Sequence, residues 1–227
     1  MEISPNALPL PYAPTETADL YPESDGKPMA ETDLHIDEIF RMRQILRAYF
    51  AEMLDVYVSG NLMMYYEEGT PSKSVSPDML VAFGVGKKAR RTYKTWEEGK
   101  PPDFVVEFSS KGTVQNDLDS KMKLYASLGI SEYFLYDVDR RYLPTPLMGF
   151  RLTGEEYVEI SPNADGGISS QTLGLDFHLL ADSFGIYDPS VGEWLQTPAE
   201  AAETRAERAE AEAARLRKEL ARLKEDK

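Results

Sequence analysis

Pro101-Pro102-Asp103-Phe104-Val105-Val106-Glu107-Phe108-Ser109-Ser110-Lys111 is an apolar and aromatic run with one carboxylate, Glu107, inside it. Its length and composition predict a buried strand. A carboxylate in such a strand is costly to desolvate unless a cation or several donors meet it. Glu107 therefore predicts a cation partner, and the expectation is a divalent metal shared with a second acid. The second metal-binding acid is Asp78. Ser76-Pro77-Asp78-Met79-Leu80-Val81-Ala82-Phe83 reads as a strand with an acid at its entrance. If the two strands pair, both acids reach one edge of a sheet and can chelate one ion, which polarises a phosphodiester and generates hydroxide from water. The competing readings are a turn carboxylate for Asp78, common after proline, and a buried salt bridge for Glu107.

Phosphodiester cleavage also gains from a lysine beside the metal, which orients water and offsets developing charge. Lys111 lies four residues past Glu107, on the same face if the strand persists, although Ser109-Ser110-Lys111-Gly112 reads as its end. Lys121 lies on the next element, a helix opened by Asn116 or Asp117 and closed by Gly129. Leu118, Met122, Tyr125 and Leu128 form its buried stripe, and Asp117 and Tyr125 flank Lys121 at helical spacing. Glu132 to Val138 is the following strand, so strand, helix and strand predict a crossover and a locally parallel pair. Upstream, residues 84–100 read as a polar connection carrying Lys87, Lys88, Arg90, Arg91 and Lys94 with Tyr93 and Trp96. Five cations and two stacking aromatics suit a phosphate backbone; a solvated loop that balances an acidic surface is the alternative.

Outside this centre, residues 1–32 are dense in proline, which blocks helices and sheet ladders, and predict an extended arm lying on the domain near Tyr21 to Met29. Asp33 reads as the N-cap of an amphipathic helix with apolar positions from Ile36 and Phe40 through Met53 and Leu54. His35, at its start, reads as a capping or surface histidine. Short strands follow at Val56 to Ser59 and Asn61 to Tyr66, with Gly60 at the bend. Past position 138 the turn-rich sequence predicts strands at 148–152, 157–160, 173–179 and 184–187. From Pro198 the composition changes to Ala, Glu, Arg and Leu, which predicts a charged helix with a short seam of Leu216, Leu220 and Leu223. The domain boundaries are therefore 1–32, 33–197 and 198–227.

The totals narrow the classes. A chain of 227 residues with 42% hydrophobic content suits one globular domain plus extensions. It has no long apolar run for a membrane helix and no secretory segment. The absence of cysteine excludes disulfides and thiolate metal sites and fits a cytoplasmic location. Two histidines, His35 and His178, give little material for a zinc site or a Ser-His-Asp triad, so oxygen ligands and Mg2+ or Mn2+ are expected. A net charge of −14 argues against general nucleic-acid binding and confines any DNA contact to a local basic patch.

Several stretches together resemble the Uma-two family of restriction-endonuclease-like proteins, in the PD-(D/E)XK nuclease superfamily. They are Ser76-Pro77-Asp78, the strand from Pro102 to Ser110, Asp117 with Lys121 and Tyr125, and Gly129-Ile130-Ser131-Glu132-Tyr133-Phe134-Leu135-Tyr136-Asp137, with Met29 to Asp33 before the first helix. The resemblance covers roughly residues 28 to 198, and an Ala/Glu/Arg tail recurs in that family. It implies a mixed α/β, restriction endonuclease-like fold, a mixed central sheet flanked by helices, with metal held at Asp78 and Glu107. The superfamily lysine two residues past the glutamate is Ser109 here, and the resemblance implies a lysine moved to the helix, Lys121. The expected function is metal-dependent DNA endonuclease, with the tail a candidate homodimer contact. The alternative is a catalytically inactive nuclease-fold scaffold that uses its tail to bind a partner.

Overall fold

The computed structural model describes residues 21–24 and 32–225. Much of the proline-rich arm, residues 1–20 and 25–31, lies outside them. The first helix is α1 (Asp33–Tyr49), capped by Thr32, whose side chain accepts from the amide of His35 at 3.3 Å. The cap is thus one residue earlier than Asp33, which occupies the first turn, where its charge suits the helix dipole. The helix also stops before Met53 and Leu54, and Leu54 is 79% exposed, so the apolar stripe is shorter than its spacing predicts.

The central sheet is built from β1 (Val56–Ser59), β4 (Met79–Phe83), β6 (Phe104–Phe108), β7 (Glu132–Tyr136), β8 (Leu147–Thr153) and β9 (Glu156–Glu159), adjacent in that order. Every neighbouring pair is antiparallel except β6 and β7, which are parallel. The predicted crossover joins that pair. It is one continuous helical arm: α3 (Val114–Asn116), a π-helical turn (Asp117–Lys121) and α4 (Met122–Leu128). Gly129 ends it at φ +78°, a left-handed conformation that favours glycine.

Two smaller sheets complete the fold. One contains β2 (Met64–Tyr65), β3 (Ser74–Val75) and β5 (Tyr93–Lys94), with β2 between the other two. The other runs β10 (Ile168–Ser170), β11 (Leu175–Leu179), β12 (Phe184–Asp188) and β13 (Glu193–Trp194), all antiparallel. The stretch 84–100 is therefore not simply a polar connection. It holds β5 and the short helix α2 (Thr95–Glu98), and Tyr93 is fully buried. Two residues of strand next to charged neighbours are too short to show periodicity.

Side-chain alternation divides the core between the two faces of the central sheet. Phe104, Val106 and Phe108 pack with α1 and the four-stranded sheet. Val105 faces the opposite way, toward Tyr125 of the crossover and Tyr133 of β7. Because alternation is strict, Glu107 shares the Val105 face and lies beneath the crossover. Not every buried acid belongs there. Glu132 ties β7 to the four-stranded sheet, accepting from Ser170 Oγ at 2.5 Å and pairing with Arg151 at 2.9 Å. Asp137 accepts three backbone amides of the 141–143 loop.

At the other end of the chain, α5 (Pro198–Glu225) begins with a reciprocal cap: Thr197 Oγ1 accepts from the Glu200 amide and Glu200 accepts from the Thr197 amide. Arg41 of α1 pairs with Glu200 at 3.0 Å. Farther along, Leu216 is exposed, and the side chains of Leu220 and Leu223 lie outside the described residues.

Candidate active site

The register of β4 and β6 brings the two predicted acids together. Met79 pairs with Val106, so one step further along the antiparallel ladder Asp78 faces Glu107. Each acid is held by the backbone of the other's segment. Asp78 Oδ2 accepts from the Phe108 amide at 2.7 Å, and the Asp78 amide lies 3.4 Å from Glu107 Oε2. Gly60 makes this possible, since a Cβ there would stand 2.3 Å from the Asp78 carbonyl oxygen. The sequence predicts the pair at a sheet edge; β4 and β6 are instead interior strands, so the pair sits at the strand ends under the crossover.

The crossover delivers the partners of Glu107. Lys121 Nζ is 2.9 Å from Glu107 Oε2 and 3.0 Å from Asp117 Oδ1. Tyr125 donates to Glu107 Oε1 at 2.6 Å. Glu107 is fully buried, so both its oxygens are satisfied by the helical arm. Asp117 is 1% exposed and accepts from Ser109 Oγ at 3.0 Å. Ser109 thus fastens the end of β6 to the π-helical turn. Such turns are rare and recur at functional sites; this one carries Asp117 and Lys121 at its two ends.

The electrostatics follow from this packing. Burial alone would lower the Lys121 pKa, but the carboxylates of Glu107, Asp117 and Asp78 outweigh it and drive the net shift upward. Lys121 therefore stays an ammonium throughout the neutral range. Burial, then the charge and hydrogen bond of Glu107, push the Tyr125 hydroxyl well above its ordinary value, which keeps it a donor. Burial is likewise the main cause of the upward shift at Tyr133, whose hydroxyl donates to the Asp117 carbonyl at 3.1 Å.

The remaining predicted residues are placed differently. Lys111 is exposed in the turn after β6, and no ion pair joins it to Glu107 among the described residues. The strand ends at Phe108, so alternation does not carry as far as position 111. Within the basic cluster, the Arg90 side chain is fully buried, stacks 4.0 Å over Tyr57 and makes a two-pronged pair with Glu98. Lys94 is buried, pairs with Glu97 and lies over Tyr21. These two cations support the fold and do not face a solvent-borne phosphate. Arg91 pairs with Glu23, an exposed contact. Lys87 donates to the carbonyls of Phe50 and Ala51 at the end of α1, and Lys88 lies 3.4 Å from Glu98; both are exposed.

Asp117, Tyr125 and His35 join the neighbourhood beyond the sequence-predicted set. His35 is buried, not a surface cap, and its Nε2 donates to the Phe108 carbonyl at 3.1 Å. The spacing of Asp117 and Tyr125 around Lys121 was the available signal for the first two. His35 had none, because its partner is a backbone atom distant in sequence. His178 stands apart on β11, stacked edge-on against Trp194.

Among the described residues no cluster of three or more His, Asp or Glu side chains is shaped to cage a metal. The two adjacent carboxylates, Asp78 and Glu107, are hard oxygen donors. They fit magnesium, which keeps several waters and takes one or two protein carboxylates. Manganese accepts the same donors.

No match was found among curated proteins. Among solved structures, the chain is similar to one titled a "putative nuclease belonging to DUF820" from Anabaena variabilis, with 15% identity and a TM-score of 0.48 over 66% of this chain and 81% of that one. The family model Uma2, "Putative restriction endonuclease", matches residues 18–182, a span that contains Asp78, Glu107, Asp117, Lys121 and Tyr125. The chain belongs to the Uma2 family.

Proposed function

We propose that the protein is a metal-dependent DNA endonuclease that hydrolyses phosphodiester bonds at the Asp78–Glu107–Lys121 centre. The observation that carries this reading is the position of the Lys121 ammonium, 2.9 Å from Glu107 and on the same short arm as Tyr125. Asp78 and Glu107 would hold Mg2+ or Mn2+, which when bound supplies Lewis-acid activation of the phosphate and a more acidic water. The chain's own groups do the rest. Lys121, fixed as a cation, donates to an anionic oxygen and offsets charge that develops in the reaction. Its raised pKa makes it a donor, not a general base. Tyr125 and the backbone amide of Asp78 hold the Glu107 carboxylate in place. Asp117, braced by Ser109, holds Lys121 from the other side.

Plasmid cleavage by the purified chain tests this. Cleavage is expected with Mg2+ or Mn2+, none with a chelator, and none from Glu107→Ala. Equal cleavage by Glu107→Ala and the parent would end the reading.

One observation favours a second reading. Both oxygens of Glu107 already have protein partners, so the centre is satisfied by the chain alone. A non-catalytic scaffold that presents α5 to a partner is consistent with that. Under this reading, neither single- nor double-stranded DNA is cut with any divalent metal.

A further inference from the structure

A second cationic site lies along the outer edge of the central sheet. A cleft of about 350 Å³ is lined by Arg43 and Arg47 of α1, Val56 to Ser59 of β1, and Lys87, Lys88 and Arg90 of the following loop. Its lining contains five cations and no carboxylate. We propose that this cleft binds a phosphate group; on the endonuclease reading, on which the ligand's identity rests, that phosphate belongs to the DNA strand beside the bond being cut.

Charge pairing singles out two of the five. Arg90 is neutralised by Glu98, and Lys88 lies near the same carboxylate. Lys87 is directed to the carbonyls that end α1, which removes the negative pole that would otherwise repel an anion there. Arg43 and Arg47 have no carboxylate within ion-pair reach among the described residues. They are one helical turn apart on one face of α1. Nε of Arg43 is buried with no hydrogen-bond partner. Burial, then the like charge of Arg47, lower the Arg43 pKa. In a chain with 39 acids and 25 Lys and Arg, two cations that repel each other beside an orphan donor are an unfinished anion site.

The location fits a substrate phosphate. Among the described residues β1 pairs only with β4, so its outer backbone groups have no strand partner there. Ser59, in the lining, precedes Gly60, which abuts the Asp78 carbonyl. The cleft therefore runs along β1 toward the carboxylates. A phosphate there would place the adjoining strand on the path to Asp78 and Glu107. Phe50, Val56 and Val58 give it an apolar floor.

The test measures binding without divalent metal, so that no cleavage occurs. Fluorescent duplexes with and without 5′-phosphates are titrated with the full chain and with Arg47→Ala and Arg43→Ala at several salt concentrations. Each variant is expected to bind more weakly, and the slope of log affinity against log salt to fall by about 1 per arginine. Equal loss on both duplexes assigns the cleft to an internal phosphodiester, and loss only with the 5′-phosphate assigns it to a strand end; either supports phosphate binding. Arg47 is exposed, so its variant folds even if the Arg43 variant does not. Pyrophosphate titration by calorimetry gives an independent arm. Arginine-dependent pyrophosphate binding in a parent that cuts no DNA overturns the nuclease reading alone. Parental DNA affinity, salt slope and pyrophosphate binding in Arg47→Ala overturn the cleft, whatever the outcome of cleavage; that is also the result expected if the arginines only guard an open sheet edge.

Discussion

At Lys121, burial works against the ammonium and three carboxylates work for it, and the carboxylates win. Two consequences follow at the residue scale. Lys121→Met leaves Glu107 buried beside Asp117 with no cation, and removing one partner of a buried pair costs about 3–5 kcal/mol. Urea unfolding should show that loss. The upward shift also fixes the sign of the pH dependence. A raised folded pKa gives stability that is complete below the unfolded value of about 10.4 and is lost as pH rises through the higher folded value. The gap between parent and Lys121→Met should therefore stay constant between pH 7 and 9. Tyr125→Phe removes only the hydroxyl that donates to Glu107, and should cost about 1.5–3 kcal/mol, as expected for a hydrogen bond to a charged group. Asp78 and Glu107 were legible from sequence because a charge in or beside an apolar strand stands out. Asp117 was legible only as a neighbour of Lys121 at helical spacing, and the burial of His35 was not, because a buried histidine near a helix start looks the same in sequence as an exposed one.

At the scale of elements, β6 and the helical arm after it were legible, because a continuous apolar run and a glycine stop carry their own signals. β5 and α2 were not. The buried residues of this stretch are Arg90 and Thr92 before β5 and Tyr93 and Lys94 within it; the two cations are turned inward by Glu97, Glu98 and the rings of Tyr57 and Tyr21, not by any periodicity. The Arg90–Glu98 clasp closes this stretch, and its pH response has the opposite sign to that of Lys121. Burial would raise the Glu98 pKa, but the hydrogen bonds and charge of Arg90, with Lys88, bring it below the ordinary value. A depressed folded pKa gives stability that is present above the unfolded value of about 4.3 and is lost as pH falls through the folded one. Glu98→Gln should therefore be less stable than the parent at pH 7 in thermal melts, with the gap closing below about pH 4. Gly60→Ala acts on another joint. A Cβ pressed against the Asp78 carbonyl forces the β1–β2 bend away from the site, and overpacking of this kind costs about 1–3 kcal/mol. Its cleavage rate should fall further than its melting temperature suggests, because the displaced atoms belong to Asp78.

For the whole molecule, Arg43 and Arg47, unpaired among the described residues of an acidic chain, line one sheet edge, next to the strand ends that hold the two carboxylates. The buried Glu107 and Asp117 and the half-buried Asp78 share one lysine, which leaves the centre short of positive charge; on the proposed function a divalent ion at Asp78 and Glu107 would supply it. α5 contributes little to this core, since its described tie to α1 is the partly exposed Arg41–Glu200 pair, and exposed pairs are worth about 0–1 kcal/mol. A chain ending at residue 204 should keep the parent's stability within about 1 kcal/mol. If the tail pairs two copies, sedimentation will show a dimer for the full chain and a monomer for the shortened one. Titration of Mn2+ into the chain by calorimetry tests the central claim most directly. Saturable binding that disappears in both Asp78→Ala and Glu107→Ala is the predicted result; equal heats from the parent and both variants would contradict it.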